Sequence, residues 1–175
     1  MEPLETRFLA LIAENRQRML RLCRVYARGE QDREDLYQEV LFQIWRALPG
    51  YRGESGAATW LWRVALNTAI SHVRKDAAAM RRRRGSVVRD QSQVERAVDP
   101  RGGTAADAPD FEALYAAIAQ LDKVEKAVIT LFLEELTYDE IASVLGLTAS
   151  HVGVLLHRTK KKLFRLMEPA ARVVL

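Results

Sequence analysis

Between Asp32 and Lys75 apolar side chains recur every three or four residues, and all three tryptophans of the chain, Trp45, Trp60 and Trp62, fall inside that stretch. Such a repeat lines up on one side only when the backbone is helical. The stretch therefore reads as two helices joined by a glycine-bearing loop. Asp32 is placed to cap the first helix, its carboxylate accepting from the N–H of Asp35 or a neighbour, with further acids in the first turn favoured by the helix dipole. Pro49 and Gly50 end it. Leu36, Val40, Leu41, Ile44, Trp45 and Leu48 make its apolar face.

Opposite them Asp35, Gln38, Glu39, Phe42 and Arg46 lie at helical spacing, a polar stripe with a large aromatic residue at its middle. Two readings are open, a solvated face carrying one phenylalanine or a face that binds a partner. The second helix is expected from near Thr59 to about Lys75. Trp60, Leu61, Val64, Ala65, Ala69 and Val73 form its apolar side, while Arg63, Asn67, Ser71 and Arg74 form a stripe of guanidinium, amide and hydroxyl groups. Such groups bond to phosphates and base edges. The loop before it, Tyr51 to Ala58, holds an aromatic ring, Arg52 and two glycines. It reads either as an ordinary surface loop or as one that wraps a base drawn out of the duplex.

The chain opens with a helix from about Leu4 to Arg28, stopped at Gly29, whose apolar face is Phe8, Leu11, Ile12, Met19, Leu22 and Tyr26. Three such helices make a small bundle of about 75 to 80 residues. Cys23, the single cysteine, excludes an internal disulfide and reads as a buried thiol. No apolar run approaches bilayer length, and Met1 to Arg7 already contains two acids, so neither membrane insertion nor an amino-terminal signal is expected and a cytoplasmic protein is. Up to Gly85 there are 16 basic and 10 acidic residues, from Ser86 to Asp110 three and five, and from Phe111 onward eight and eight. The basic excess favours a polyanionic partner for the first part. Arg81 to Arg84 read either as phosphate contacts at the end of the second helix or as a solvated helix end.

From Ser86 to Asp110 periodicity is lost and Gly, Pro, Ser, Asp and Gln gather, the composition of a flexible linker. At about 3.3 Å per residue it reaches up to about 80 Å, more than two duplex turns of roughly 34 Å. The expected architecture is all-α, with two small helical domains, residues 1–85 and 111–175, joined by residues 86–110.

In the second domain Asp110 is placed to cap a helix carrying Leu114, Ile118 and Leu121. Asp122 with Glu125 reads as a capping box opening a helix with Val124, Val128, Leu131 and Phe132 inward. Thr137 with Glu140 opens a short helix bearing Ile141, Val144 and Leu145, closed by Gly146. Thr148 caps a longer one with Val152, Leu155, Leu156, Thr159, Leu163 and Leu166 inward. This is a helix-turn-helix, whose second helix enters the major groove by its amino-terminal end. Arg158, Lys160, Lys161, Lys162 and Arg165 lie on that helix, whereas Glu134, Glu135, Asp139 and Glu140 lie on the preceding elements, so one side of the domain is positive and the other negative. A helical bundle with a basic solvent face is the plainer reading of the same residues.

The run DREDLYQEVLFQIWRAL, a GES-type loop and TWLWRVALNTAISHVRK, in this order and spacing, resemble the promoter-opening domain of bacterial RNA polymerase sigma factors of the extracytoplasmic-function group. LTYDEIASVLGLTASHVGVLLHRTKKKL resembles the same family's carboxy-terminal helix-turn-helix, which reads the minus-thirty-five promoter element. The resemblance implies that Asp35, Gln38, Glu39, Phe42 and Arg46 bind the coiled-coil clamp of core RNA polymerase. It implies that Tyr51, Arg52, Arg63, Asn67, Ser71 and Arg74 hold the opened minus-ten element, with Trp62 as the stacking candidate and Trp60 as core. It leaves Ser150, His151, Val154, His157, Arg158 and Lys161 to face promoter DNA upstream, and an anti-sigma protein as a further possible partner. One departure stands out: Gly153, Val154 and Leu155 occupy positions where the family has Lys, Ser and Arg, which implies weakened or altered upstream specificity.

A free-standing helix-turn-helix regulator would leave the Asp35 to Arg46 stripe unexplained. An enzyme needs clustered acid–base or metal-binding groups, whereas the three histidines, His72, His151 and His157, are scattered and lack cysteine partners. No catalytic residue, cofactor or metal is expected.

Overall fold

The computed structural model describes residues 3–53, 56–85 and 109–171, with backbone only for 83–85, 109–110 and 169–171. The described residues are helical throughout, without a strand: α1 (Leu4–Tyr26), α2 (Glu30–Ala47), a 3-10 turn (Leu48–Gly50), α3 (Ala57–Gly85), α4 (Pro109–Ala119), α5 (Lys123–Leu133), α6 (Tyr138–Leu145) and α7 (Ala149–Ala171). The first three pack on one another, and α4, α5 and α6 each pack on α7. Nearly all of the expected linker lies outside the described residues. Its last residue, Asp110, stands inside the first turn of α4 and so is not that helix's cap.

The amino-terminal core is built from Met19, Leu22 and Cys23 of α1, Leu36, Val40 and Ile44 of α2, and Leu61, Trp62, Ala65, Leu66 and Ala69 of α3. Each large apolar side chain removed from water in this way contributes about 1.5–3 kcal/mol. Burial pushes the Cys23 thiol up to about 12, so it stays protonated and unreactive. Two expected core residues lie outside. Trp45 is half-exposed and meets Phe8 edge to face, 5.1 Å between ring centroids. Val124 sits at the solvent side of α5, whose inner face is Ala127, Val128, Ile129, Thr130 and Leu131.

Helix boundaries differ from expectation at three places. α1 ends at Tyr26, and Gly29, in extended backbone, becomes the N-cap of α2, which starts two residues before Asp32. Asp32 therefore does not cap forward. Its carboxylate reaches back to the Arg28 N–H (2.7 Å) and across to His72 Nε2 (2.6 Å). Partial burial alone would raise this carboxyl, but those two bonds outweigh it and hold Asp32 below its usual range. α3 begins at Ala57 and does not stop at Lys75; Ala77 to Ala79 are strong helix formers and carry it through the arginines to Gly85.

The second half follows its caps closely. Asp122 accepts from Val124 and Glu125 N–H, both 2.9 Å, while Glu125 returns a bond to the Asp122 N–H. Thr137 and Glu140 form the second capping box, and Gly146 takes the left-handed conformation (φ 68°) that closes α6. Thr148 Oγ1 accepts from the His151 N–H at 3.2 Å. The Glu125 N–H bond, then that of Val124, holds the Asp122 carboxyl below its ordinary value. A depressed carboxyl stabilises the fold above the unfolded pKa of about 3.9, and the contribution fades as pH falls through the lower folded value. Asp122→Ala is accordingly expected to cost about 1 kcal/mol at pH 7. Urea titrations of both proteins should show that gap closing toward pH 2; a gap that persists there would assign it to something other than the charged cap.

Candidate nucleic-acid interface

α3 supplies the most continuous run of polar groups. Arg63, Asn67 and Arg74 are exposed and Ser71 is half-buried at its edge. Asn67, Ser71 and Arg74 border a groove of about 580 Å³ whose other wall is α2, with Asp35, Glu39 and Gln43. The sequence treats the α2 and α3 stripes as separate flanks, yet the fold brings them to one groove. Along α2, Asp35, Gln38 and Arg46 are exposed, Phe42 retains 56% of its surface, and Glu39 is half-buried and accepts from Gln43 Nε2 at 2.9 Å. The stripe is thus presented outward rather than packed.

The structure corrects the role expected of Trp62, while Trp60 packs partly buried against the core as expected. Trp62 is fully buried, with the Arg18 guanidinium 5.2 Å from its ring centroid, and its indole N–H has no hydrogen-bond partner among the described residues. It cannot stack on a base. Trp60 is half-buried at the helix edge and lies against Tyr51, ring centroids 5.0 Å apart and planes tilted by 33°. The aromatic surface beside the loop is therefore Tyr51 with Trp60. Arg52 is exposed next to it, and Gly53 turns the chain in left-handed backbone (φ 78°). Glu54 and Ser55, the GES-type centre of the loop, lie outside the described residues.

His72 is drawn into an arrangement the sequence did not signal. Its Nε2 lies 2.6 Å from Asp32 and 3.9 Å from Asp76, tying α2 to α3 at the wall of the groove, which His72 itself lines. Asp32 is 40 residues away in the chain. His151 and His157 stand apart from it on α7.

On the helix-turn-helix, Ser150, His151, His157, Arg158 and Lys161 are exposed, and Val154 keeps 58% of its surface. Two other cations of α7 have partners within the domain: Lys160 sits 3.7 Å from the Phe132 ring centroid and Lys162 bonds Glu125 at 2.6 Å. Gly153 faces Tyr138, the first residue of α6. A Cβ there would meet that ring at 3.5 Å, ordinary contact, so a side chain is accommodated. Tyr138 was not singled out in the sequence; its helical position shows only that it begins α6, not that it covers α7.

No single helix among the described residues is long and apolar enough to cross a membrane. Chemically the surfaces offer donors, cations and aromatic rings suited to nucleic acid, together with one acidic–aromatic strip.

Comparison with known proteins agrees with this geometry. Residues 11–79 match the family model for Sigma-70 region 2, and residues 111–163 match that for Sigma-70, region 4. The RNA polymerase sigma-H factor of Pseudomonas aeruginosa is 26% identical over 174 residues, covering 94% of this chain and 88% of that protein. The ECF RNA polymerase sigma-E factor of Escherichia coli K12 is 28% identical over 152 residues, covering 81% and 76%. Among solved structures, the sigma factor RpoE of Bartonella quintana, in complex with the anti-sigma factor NepR, superposes with a TM-score of 0.69 at 17% identity over 94% of this chain and 96% of that one. CnrH in complex with the cytosolic domain of CnrY gives 0.66 at 22% identity over 94% and 90%. These two likenesses are of fold.

Proposed function

The chain belongs to the extracytoplasmic-function group of RNA polymerase sigma factors, and from that premise we infer which of its surfaces does which part of the work. As a sigma factor it directs core RNA polymerase to promoters, recognises the minus-ten and minus-thirty-five elements, and promotes opening of the DNA. The promoter-opening and polymerase-binding unit is residues 1–85, and the upstream reader begins with α4 at Pro109. A free-standing helix-turn-helix regulator is not favoured, since it has no use for the first unit.

The α2 strip of Asp35, Gln38, Glu39, Phe42 and Arg46 is the polymerase contact. Its exposure is the observation that carries this assignment, because Phe42, flanked by acids, keeps more than half of its surface uncovered among the described residues. The α3 stripe and the Tyr51–Trp60 pair receive the unpaired minus-ten strand, with rings for stacking and Arg63, Asn67, Ser71 and Arg74 for phosphates and base edges. Arg52 adds a cation at the loop. Opening then follows from binding equilibrium. Holding the separated strand more tightly than the duplex repays the few kcal/mol of unstacking per extruded base, and no bond is cleaved. Two of the similar structures are complexes with partner proteins, one named as an anti-sigma factor, and a regulator of that kind is the remaining expected partner.

Upstream, α7 presents His151, Val154, His157, Arg158 and Lys161 to the major groove, with Ser150 at its start. Val154 suits a thymine methyl and Arg158 a guanine edge. Gly153 withholds a cation at the position where one would meet a phosphate. Gly153→Lys is therefore expected to tighten upstream DNA about fivefold at fixed salt and to steepen the salt dependence by about one counterion. A fluorescence titration across salt concentrations measures both; unchanged affinity and slope would remove the assignment.

Run-off transcription tests the function as a whole. Purified core polymerase, supplied with this protein and a library of promoter fragments, should start at sites it ignores alone. Starts that are unaltered by the protein would overturn the reading.

A further inference from the structure

The fold gathers Asp32, His72 and Asp76 where the start of α2 meets the middle of α3, and none of the functions above uses them. His72 and Asp76 stand one turn apart on α3, so both project from the same face of the helix. Asp32 meets them from α2, 40 residues before His72 in the chain. His72 Nε2 lies 2.6 Å from Asp32 Oδ1 and 3.9 Å from Asp76 Oδ2, and one ligand atom from each of the three falls within 4.8 Å of the other two. All three side chains are partly buried, yet open enough to be reached from solvent. The scatter of histidines along the sequence, which speaks against a metal, does not bear on His72: its partners come from another helix and from the next helical turn.

One imidazole nitrogen and two carboxylate oxygens form a mixed donor set. Imidazole selects first-row cations such as Zn2+ over Mg2+ and Ca2+, which favour oxygen ligands alone. The two carboxylates balance the charge of a divalent ion. Zn2+ holds such ligands at about 2.0–2.2 Å in a tetrahedron, which sets them about 3.4 Å from one another. The separations of His72 from the two acids straddle that value, so side-chain movements of about an ångström close the three on an ion. Two residues at i and i+4 are also the spacing by which one helix face supplies a pair of zinc ligands. Asp32 is oriented for the task. Its Oδ2 accepts from the Arg28 N–H at 2.7 Å and leaves Oδ1 toward His72, the kind of outer hydrogen bond that fixes a ligating carboxylate. The Arg28 guanidinium rests on Met80 Sδ, 2.9 Å from Nη1.

We propose that Asp32, His72 and Asp76 bind one first-row divalent cation, with Zn2+ as the type, and that the ion clamps the start of α2 to the middle of α3. Three protein ligands leave a fourth position for water. The ion takes the Nε2 lone pair and displaces any proton from that nitrogen, so the clamp and the His72–Asp32 hydrogen bond are alternative uses of the same atoms. Asp32 stands one turn before Asp35, and His72 lines the groove between the two helices, so the clamp sets the spacing of the groove walls. The ligands do not depend on what the groove holds, and failure of the strand-reader assignment would leave the site untouched.

The test uses the full chain, stripped of metal with a chelator and titrated with Zn2+ against a fluorescent indicator, Mg2+ being present at millimolar level throughout. One ion per chain should bind with a micromolar Kd. His72→Gln and Asp76→Asn should each weaken it about tenfold or more. Asp76→Asn leaves the Asp32–His72 bond and the core in place, so it reports on the ligand even if His72→Gln fails to fold. His151→Gln with His157→Gln should bind the ion as the unaltered chain does, since both residues stand on α7. Saturating Zn2+ should raise the melting temperature by about 4–8 °C in the unaltered protein and in neither ligand variant. Absence of saturable binding, or binding that survives both ligand substitutions, would overturn the site and leave His72 as a hydrogen-bonded strut. Binding that weakens in the variants but never moves the melting temperature would overturn the clamp.

Discussion

Trp62→Ala is expected to cost about 3–5 kcal/mol, a large part of the roughly 5–15 kcal/mol that holds a domain folded. The indole has no exposed surface and belongs to the buried core with Met19, Leu22, Leu61 and Leu66, so its removal leaves a void in a close-packed interior. Its N–H makes no hydrogen bond among the described residues, so Trp62→Phe should be far milder: only volume is lost. Urea denaturation of the three proteins measures the difference. The sequence reading, with Trp62 as a stacking residue, demands the opposite pattern of intact stability and weakened DNA binding. Trp60→Ala should weaken DNA binding at a smaller cost in stability than Trp62→Ala, since Trp60 is only half-buried and lies against Tyr51.

Phe42→Ala together with Asp35→Ala is expected to weaken binding to core polymerase on the order of 30-fold or more, the size of a loss of about 2 kcal/mol at an interface hot spot. Neither side chain is packed within the protein, so stability should move by less than about 0.5 kcal/mol. The pairing of effects is informative. A solvated strip would leave both stability and affinity unaltered, whereas a strip that braced α2 would lower both. Biolayer measurement of polymerase binding beside a thermal melt separates the three cases.

Local chemistry carried most of the architecture. Both capping boxes of the second half, the left-handed Gly146 and the Thr148 cap were legible because each is made by residues within four positions of one another. The helix-turn-helix and the exposure of Val154 and Arg158 followed from them. The errors lie where long-range packing decides. The expected apolar side of α3 includes Leu61, Ala65 and Ala69, all buried, and Trp60, Val64 and Val73, which pack against the core, but it leaves out Trp62 and Leu66, whose burial is decided by the helices packed around α3. Two tryptophans two residues apart must face different ways on a helix, so the motif signalled that one was core without saying which. Asp32 looked like a cap because its partner His72 could not be seen from the sequence. The pairing of Glu134 with Arg18 and Arg21 was hidden for the same reason: an acid at a helix end reads as solvated until arginines from another domain are placed around it.

The central claim, that this protein opens promoters by preferring an unpaired strand while seated on polymerase, is tested most directly by one titration. The complex of core polymerase with this protein is titrated with a fluorescent minus-ten fragment, single-stranded in one arm and duplex in the other. The account predicts markedly tighter binding of the single strand, and loss of that preference in the Asn67→Ala, Arg74→Ala variant while the polymerase complex still forms. Equal affinity for the two fragments, or a preference that survives those substitutions, would contradict it.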